Sequence, residues 1–431
     1  MKKCAIALTL SLALLLAACG EPAQTPAATP SPTDGVNVRV HWDALTPEPE
    51  NRAERWYEEY TDELIPSDKY GELVPYIGGE IGLDEYWLRG WVRGLATRDG
   101  VIVTDPVYLD VQPLSWYDSG YGGTRTGSAY ILRTAVPSDA EPSDEWSPAF
   151  EDRYGFAASD GAWYTGQLFS DVIYMGEPGA LFMTPEGDAV MVGTDGSEIF
   201  RWKAGNMPID AFEPGQSYWM IDYSDGTYLR FQLVDADGWK GEFCYVDLRT
   251  GEVSYTRPED YTERESYVPG AYQTYGGGEY LVEDGMVHIR SDEYGEHSFP
   301  VPEGTGEYPY ADIDGDRVLF GPNDGRSILT DLDGNVLLRA EEYLYWPYPR
   351  WTGAPNLPES SEIVETDGES SMLRTVYTRD GEKLLSTGGY VSQWGDRLLI
   401  ADSDSYRLTD LEGNDLIRLS RYEKLDIPAE D

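Results

Sequence analysis

Leu329-Thr330-Asp331-Leu332-Asp333-Gly334-Asn335 and Leu408-Thr409-Asp410-Leu411-Glu412-Gly413-Asn414 are near copies of one heptapeptide, and their reading decides the fold. Each carries an apolar start, an acidic residue before Gly, then Asn and a second apolar run such as Val336-Leu337-Leu338. Asp-Gly and Gly-Asn steps tolerate the positive φ that hairpin turns need. Short apolar runs on both sides are what strands of a packed sheet require. The unit is strand, tight turn, strand. Its lead-in also repeats, as Gly315-Asp316-Arg317-Val318-Leu319 and Gly395-Asp396-Arg397-Leu398-Leu399.

Outward from these copies, equivalent turns fall at Gly100, Gly161, Gly196, Gly251, Gly295, Gly334, Gly381 and Gly413, spaced by 32 to 61 residues. Four-stranded units of about 40–50 residues fit that range. Gly226, Gly238, Gly285, Gly325 and Gly368 also follow an Asp and read as second turns within units. Gly94-Leu95-Ala96-Thr97-Arg98-Asp99-Gly100 and Gly155-Phe156-Ala157-Ala158-Ser159-Asp160-Gly161 share a Gly six residues before the turn Gly, and an aromatic follows each eight residues on, at Tyr108 and Phe169. Alternation through Val36-Asn37-Val38-Arg39-Val40-His41-Trp42 predicts the first strand. A helical signal is confined to residues 48–63, around Trp56, Tyr57 and Tyr60.

With its Asp-Gly turns, apolar strands and following Tyr, the chain resembles the bacterial WG-repeat family. Residues 94–113 and 154–174 match best, and Tyr154-Gly155 stands where that family often has Trp-Gly. The resemblance implies a β-propeller-like architecture. The expected fold is all-β: a β-propeller of seven blades, with six and eight also fitting, over residues 36–425, and a tail at 426–431. Residues 36–40 are expected to complete the last blade and close the ring. An open solenoid of hairpins is the structural alternative.

The N-terminus gives an address. Lys2 and Lys3 precede an apolar run from Cys4 to Leu16, then Leu16-Ala17-Ala18-Cys19-Gly20. A basic start, an apolar stretch and small residues before a cut site form an export signal. The run is too short for the roughly 20 residues of a membrane-spanning helix. The Cys after the small pair resembles a bacterial lipobox, which implies a signal peptide at 1–18 and acyl chains on Cys19; two or more chains anchor stably. Residues 19–35 are rich in Pro, Ala and Thr and read as an extended tether. At about 3.1 Å per residue such a tether reaches roughly 40–50 Å. The expected location is the membrane, by lipid, facing outside the cytoplasm.

Composition narrows the partners. The chain has 431 residues and a formal charge of −46, which becomes −48 without Lys2 and Lys3. So acidic a surface repels nucleic-acid phosphates and anionic lipid heads, so no nucleic-acid partner is expected and attachment falls to the anchor. Of three cysteines, Cys4 leaves with the signal and Cys19 carries lipid; Cys244 has no disulfide partner and sits in the strand-like Phe243-Cys244-Tyr245-Val246-Asp247.

No motif names a reaction. Gly215-Gln216-Ser217-Tyr218-Trp219 fails the hydrolase elbow at its last position. His41, His288 and His297 are too few and scattered for a zinc site. Asp312-Ile313-Asp314-Gly315-Asp316 and Asp331-Leu332-Asp333-Gly334-Asn335 offer alternating carboxylates to calcium, but Gly is fourth rather than sixth, and hairpins demand such turns anyway. No metal or cofactor is expected, calcium being the one alternative. Tyr343-Leu344-Tyr345-Trp346-Pro347-Tyr348-Pro349-Arg350-Trp351 is the densest aromatic run. Its prolines point to a loop, and Tyr345, Trp346, Tyr348 and Trp351 are the candidate ligand contacts, against a reading as wedges packed between blades. The functional expectation is a protein- or glycan-binding scaffold; the alternative is a glycan-active hydrolase with acids in a central channel. Replacing Cys19→Ala is expected to abolish incorporation of labelled fatty acid and move the protein from the membrane to the soluble fraction, read by metabolic labelling and fractionation.

Overall fold

The computed structural model describes residues 63–82, 89–118, 123–137, 150–206, 218–235, 238–262, 272–275, 278–291, 293–305, 310–321, 326–347, 351, 354–366 and 369–420. Cys19, the tether, residues 36–40 and 48–62, and Tyr348 lie outside the described residues. The chain divides into two units, residues 1–34 and 35–431, and every described residue belongs to the second.

Among the described residues there are 29 strands and no helix, hence no helix long and apolar enough to cross a membrane. The fold is all-β, built from many small antiparallel sheets in which each strand pairs with its neighbour in sequence. Eight sheets follow one another along the described chain. The first holds Leu73–Gly82 and Arg89–Thr97, extended by single bridges from Ala96 to Ile102 and Arg93 to Tyr108. The second holds Asp110–Asp118, Gly123–Pro137 and Phe150–Ala158. The remaining six hold four strands each and begin at Asp171, Tyr218, Gln273, Tyr310, Leu344 and Tyr390.

Burial on both faces explains the continuous apolar runs. In the sixth sheet, Val318 and Phe320 pack with Val287, Ile289 and Phe299 of the fifth. Leu319, between them, packs with Leu344 and Trp346 toward the seventh. Side chains alternate across a strand, so a strand sandwiched between two sheets needs an unbroken Val-Leu-Phe rather than an apolar-polar alternation.

The eight turn glycines fall one to each sheet, all at positive φ. Most are held close against the preceding sheet. A Cβ on Gly334 would lie 2.6 Å from the Phe299 ring, and one on Gly381 2.7 Å from the Leu337 carbonyl oxygen. Gly161, Gly196 and Gly251 crowd Tyr70, Trp163 and Phe200 in the same way. Gly100, in the first sheet, is crowded by the Leu416 carbonyl oxygen of the eighth, at 2.8 Å from a Cβ. Leu73, Val74, Leu95 and Val107 share one apolar cluster with Leu399, Tyr406, Leu408 and Leu419, so the last sheet packs on the first.

Arginines lock two of these joints alike. Arg317 Nε donates to the Arg379 carbonyl at 2.8 Å, and Arg397 Nε donates to the Arg98 carbonyl at 2.8 Å. Arg379 returns to Asp314 and Asp316 at 2.7 Å each, and Arg98 returns to Asp396 while also holding Glu72, beside its own sheet, at 2.5 Å. Five residues upstream, Arg93 and Arg374 reach the other way, to the carbonyls of Leu109 and Val391. The expectation that residues 36–40 complete the last blade lies outside the described residues, among which the last sheet has four strands and the first has two.

The two locks differ in wetness. Arg379 and Asp314 are 16% and 13% exposed, whereas Arg98 and Asp396 are 40% and 35% exposed. Removing one partner of a buried pair costs about 3–5 kcal/mol, while exposed pairs contribute about 1 kcal/mol or less. Arg379→Met is therefore expected to lower unfolding free energy by about 3–5 kcal/mol and Arg98→Met by about 1 kcal/mol or less, read by denaturant titration; equal losses would contradict this ranking.

Candidate functional site

The aromatic run divides by strand alternation. Leu344 and Trp346 are buried toward the sixth sheet, while Tyr343 is 52% exposed and Tyr345 half-buried on the other side. Trp346 donates its indole N–H to the Asp312 carbonyl at 3.3 Å, with the Arg379 guanidinium 5.6 Å from the ring centroid. Trp351 donates its own to the Gln393 carbonyl at 2.9 Å and lies 5.2 Å from the Trp394 ring. Both tryptophans are wedges with satisfied polar ends, not displayed rings. Tyr343 and Tyr345 stack at 6.5 Å and 25°.

The exposed part of the seventh sheet lies beyond them. Glu359–Thr366 and Glu369–Tyr377 pair over eight positions. Leu344–Tyr345 covers only two residues of one edge, and Lys383–Thr387 reaches no further than Arg374 on the other. A two-stranded ribbon therefore projects from the sheet. Ile363 and Met372 are direct partners on it, 71% and 46% exposed. Side chains two apart share a face, so Glu359, Ser361 and Ile363 line one side with Tyr345, Arg374 and Met372. The Tyr345 and Ser361 hydroxyls are hydrogen-bonded at 2.9 Å. The Arg374 guanidinium lies 5.8 Å from the Tyr390 ring, which meets Trp91 at 4.5 Å. The strip thus grades from buried Val376 and Val391, through a carboxyl and a guanidinium, to exposed aliphatic side chains.

Glu359 is the unusual member. It is 4% exposed, and its Oε1 has no hydrogen-bond partner. Burial pushes its carboxyl up to about 7, against the opposing pull of Arg374.

Other candidates are taken up by structure. Asp331 accepts the amides of Asp333 and Asn335 and the Asn335 side chain; Asp410 does the same with Glu412 and Asn414. These carboxylates close their own turns. His288 meets the Ser298 hydroxyl at 2.9 Å, and His297 bonds the Tyr294 carbonyl at 2.9 Å, as members of one hairpin. Cys244 is fully buried, and burial pushes its thiol up to about 12, so it is not a nucleophile at neutral pH. Among the described residues no three His, Cys, Asp or Glu side chains converge to hold a metal.

Sequence reasoning missed Glu359, Arg374, Ile363 and Met372. The signal for the ribbon was there in the apolar Ile363-Val364 and Met372-Leu373 flanking Asp367-Gly368, a hairpin longer than its neighbours. No protein-family model and no curated protein matches the chain. Among solved structures, the computationally designed Ika8 protein is similar over 72% of this chain and 90% of its own, with 13% identity and a TM-score of 0.25. BamB from Moraxella catarrhalis is similar over 81% and 94%, with 12% identity and a TM-score of 0.24. A eukaryotic initiation factor is similar over 66% and 72%, with 12% identity and a TM-score of 0.26. These scores are too low to equate any of those folds with this one.

The raised carboxyl of Glu359 has a sign. The folded protein holds a proton that the unfolded chain releases near 4.5, so stability falls as pH rises from there through about 7. Glu359→Gln removes this dependence. Its stability advantage over the parent is expected to grow by on the order of 3 kcal/mol between pH 4.5 and 8, measured by denaturant titration across pH; a constant difference would refute it.

Proposed function

We propose that the chain is a lipid-anchored, extracytoplasmic β-propeller of the WG-repeat kind that serves as a binding or scaffolding module for a protein or glycan. The propeller reading is supported by the succession of small sheets, by the packing of the last on the first, and by the use of one arginine lock inside the series and at its closure. Eight sheets favour eight blades over the seven that turn spacing suggested. Attachment through Cys19 rests on the N-terminal sequence.

The observation that carries the binding reading is the ribbon. Ile363, Met372 and Tyr343 are large apolar side chains held in solvent on one part of one sheet. Contiguous exposed apolar surface of this kind marks interaction sites, and aromatic and methionine side chains are favoured there. A hydrolase has one observation on its side, the near-neutral carboxyl of Glu359. Hydrolysis needs a second acid within about 5–10 Å, and the charged group that acts on Glu359 is Arg374.

The test pairs affinity capture from cell-surface extracts with a glycan array, using the Cys19→Ala chain. Ile363→Asp with Met372→Asp is expected to cut retention of the captured protein or glycan at least tenfold, while melting moves little because both sites are exposed. Unchanged retention would remove this face from the reading, and turnover of a bound glycan would replace the scaffold by the hydrolase.

A further inference from the structure

The ribbon of the seventh sheet has an open edge, and the direction of its backbone groups follows from their neighbours. Tyr377 donates its amide to the Pro358 carbonyl at 2.9 Å. Ladder bonds alternate along a strand, so Ser360, Glu362 and Val364 turn theirs inward to Glu369–Tyr377. Glu359, Ser361, Ile363 and Glu365 turn theirs outward. Tyr345 pairs with Glu359. The N–H and C=O groups of Ser361, Ile363 and Glu365 meet no strand among the described residues, because the chain comes to Leu344 through a bend at Glu341 and Glu342 and does not run along them.

This edge lacks what protects the others. The outer strands of the third, sixth, seventh and eighth sheets each pair through a register shift. Bulges, prolines and lysines keep sheet edges from pairing with other chains. Glu359–Thr366 instead pairs in unbroken register over eight positions, holds no proline or lysine, and exposes Ile363. Its two faces differ. Ile363 and Met372 stand on one, with Tyr345. Ser360, Glu362, Thr375 and Tyr377 stand on the other. Burial pushes the Tyr377 hydroxyl up, and the carboxylates of Glu342 and Glu362 beside it add to this.

We infer that an extended peptide segment, in which apolar residues alternate with lysine or arginine, binds by adding a strand along the open edge of Glu359–Thr366. This rests on the binding reading above and commits it to a protein partner. Outward backbone groups supply the attachment, and side chains two apart supply the choice of sequence. Residues of the added strand beside Ile363 and Met372 meet aliphatic surface, and those beside Glu362 meet a carboxylate. The stretch between Arg350 and Arg374 holds Glu359, Glu362, Glu365, Asp367 and Glu369 and no lysine or arginine, so the occupant is cationic. A second copy of this chain, with a formal charge of −46, brings the wrong sign.

The probe is a blocked octapeptide of alternating lysine and valine, titrated into the full chain carrying Cys19→Ala while hydrogen exchange is read residue by residue. At saturation the outward Ile363 amide is expected to exchange about tenfold slower. Ile363→Ala keeps that N–H, and Ile363→Pro removes it without touching the ladder to Glu369–Tyr377, a place in a strand that proline tolerates. The proline variant is expected to bind the peptide about tenfold more weakly than the alanine variant, the worth of one backbone bond. If Ile363→Pro does not fold, Glu365→Pro against Glu365→Ala makes the same comparison. An unprotected Ile363 amide, equal protection by the glutamate-valine counterpart, or equal binding of the proline and alanine variants overturns the inference. Should the peptide fail while Ile363→Asp with Met372→Asp still loses the captured partner, strand addition alone is struck; should that pair keep its partner, the ribbon falls as a site altogether.

Discussion

The close seating of six of the eight turns on residues outside their own sheet governs much of this structure. A backbone that comes within contact distance of Phe299, Leu337 or Leu416 leaves no space for a β-carbon, so the turn residue must be glycine twice over, for its φ and for its bareness. The seating fixes how far apart neighbouring sheets stand. That distance in turn decides which side chains fill the gap: valine, leucine and phenylalanine on both faces of the inner strands. It also brings the Thr-Arg-Asp-Gly turns within reach of the Gly-Asp-Arg turns, so the arginine locks are a consequence of the same approach.

Much of this was legible because turn chemistry is local. The eight glycines singled out in the sequence fall one to each sheet, since an Asp-Gly turn announces itself in two residues. The fate of the aromatic run was not legible. Prolines pointed to a loop, yet Leu344 and Tyr345 form a short edge strand, and the burial of Trp346 and Trp351 depends on carbonyls of Asp312 and Gln393, far away in sequence. Glu359 was hidden among 78 acidic residues, because only burial distinguishes it. Thr97-Arg98-Asp99-Gly100 and Thr378-Arg379-Asp380-Gly381 are identical turns in the sequence, yet which sheets they join is a property of the assembled order.

Charge and exposure complement one another on the seventh sheet. The protein keeps itself soluble with a large acidic excess. On the projecting ribbon, Ile363 and Met372 are exposed, and of the stacked pair Tyr343 and Tyr345 the Tyr345 hydroxyl is tied down by Ser361. Were a partner to bind this strip, as proposed, it would find little side-chain motion to freeze at Tyr345 and apolar area to cover at Ile363 and Met372.

The burial of Trp351 against Trp394 has an optical consequence. Two indoles 5.2 Å apart and inclined at 47° are near enough for their excited states to mix. Such a pair yields neighbouring circular-dichroism bands of opposite sign, a signature that vanishes once the rings separate. Because Trp394 belongs to the eighth sheet and Trp351 to none of its strands, such a couplet would report, without any added label, whether the contact between the two is intact.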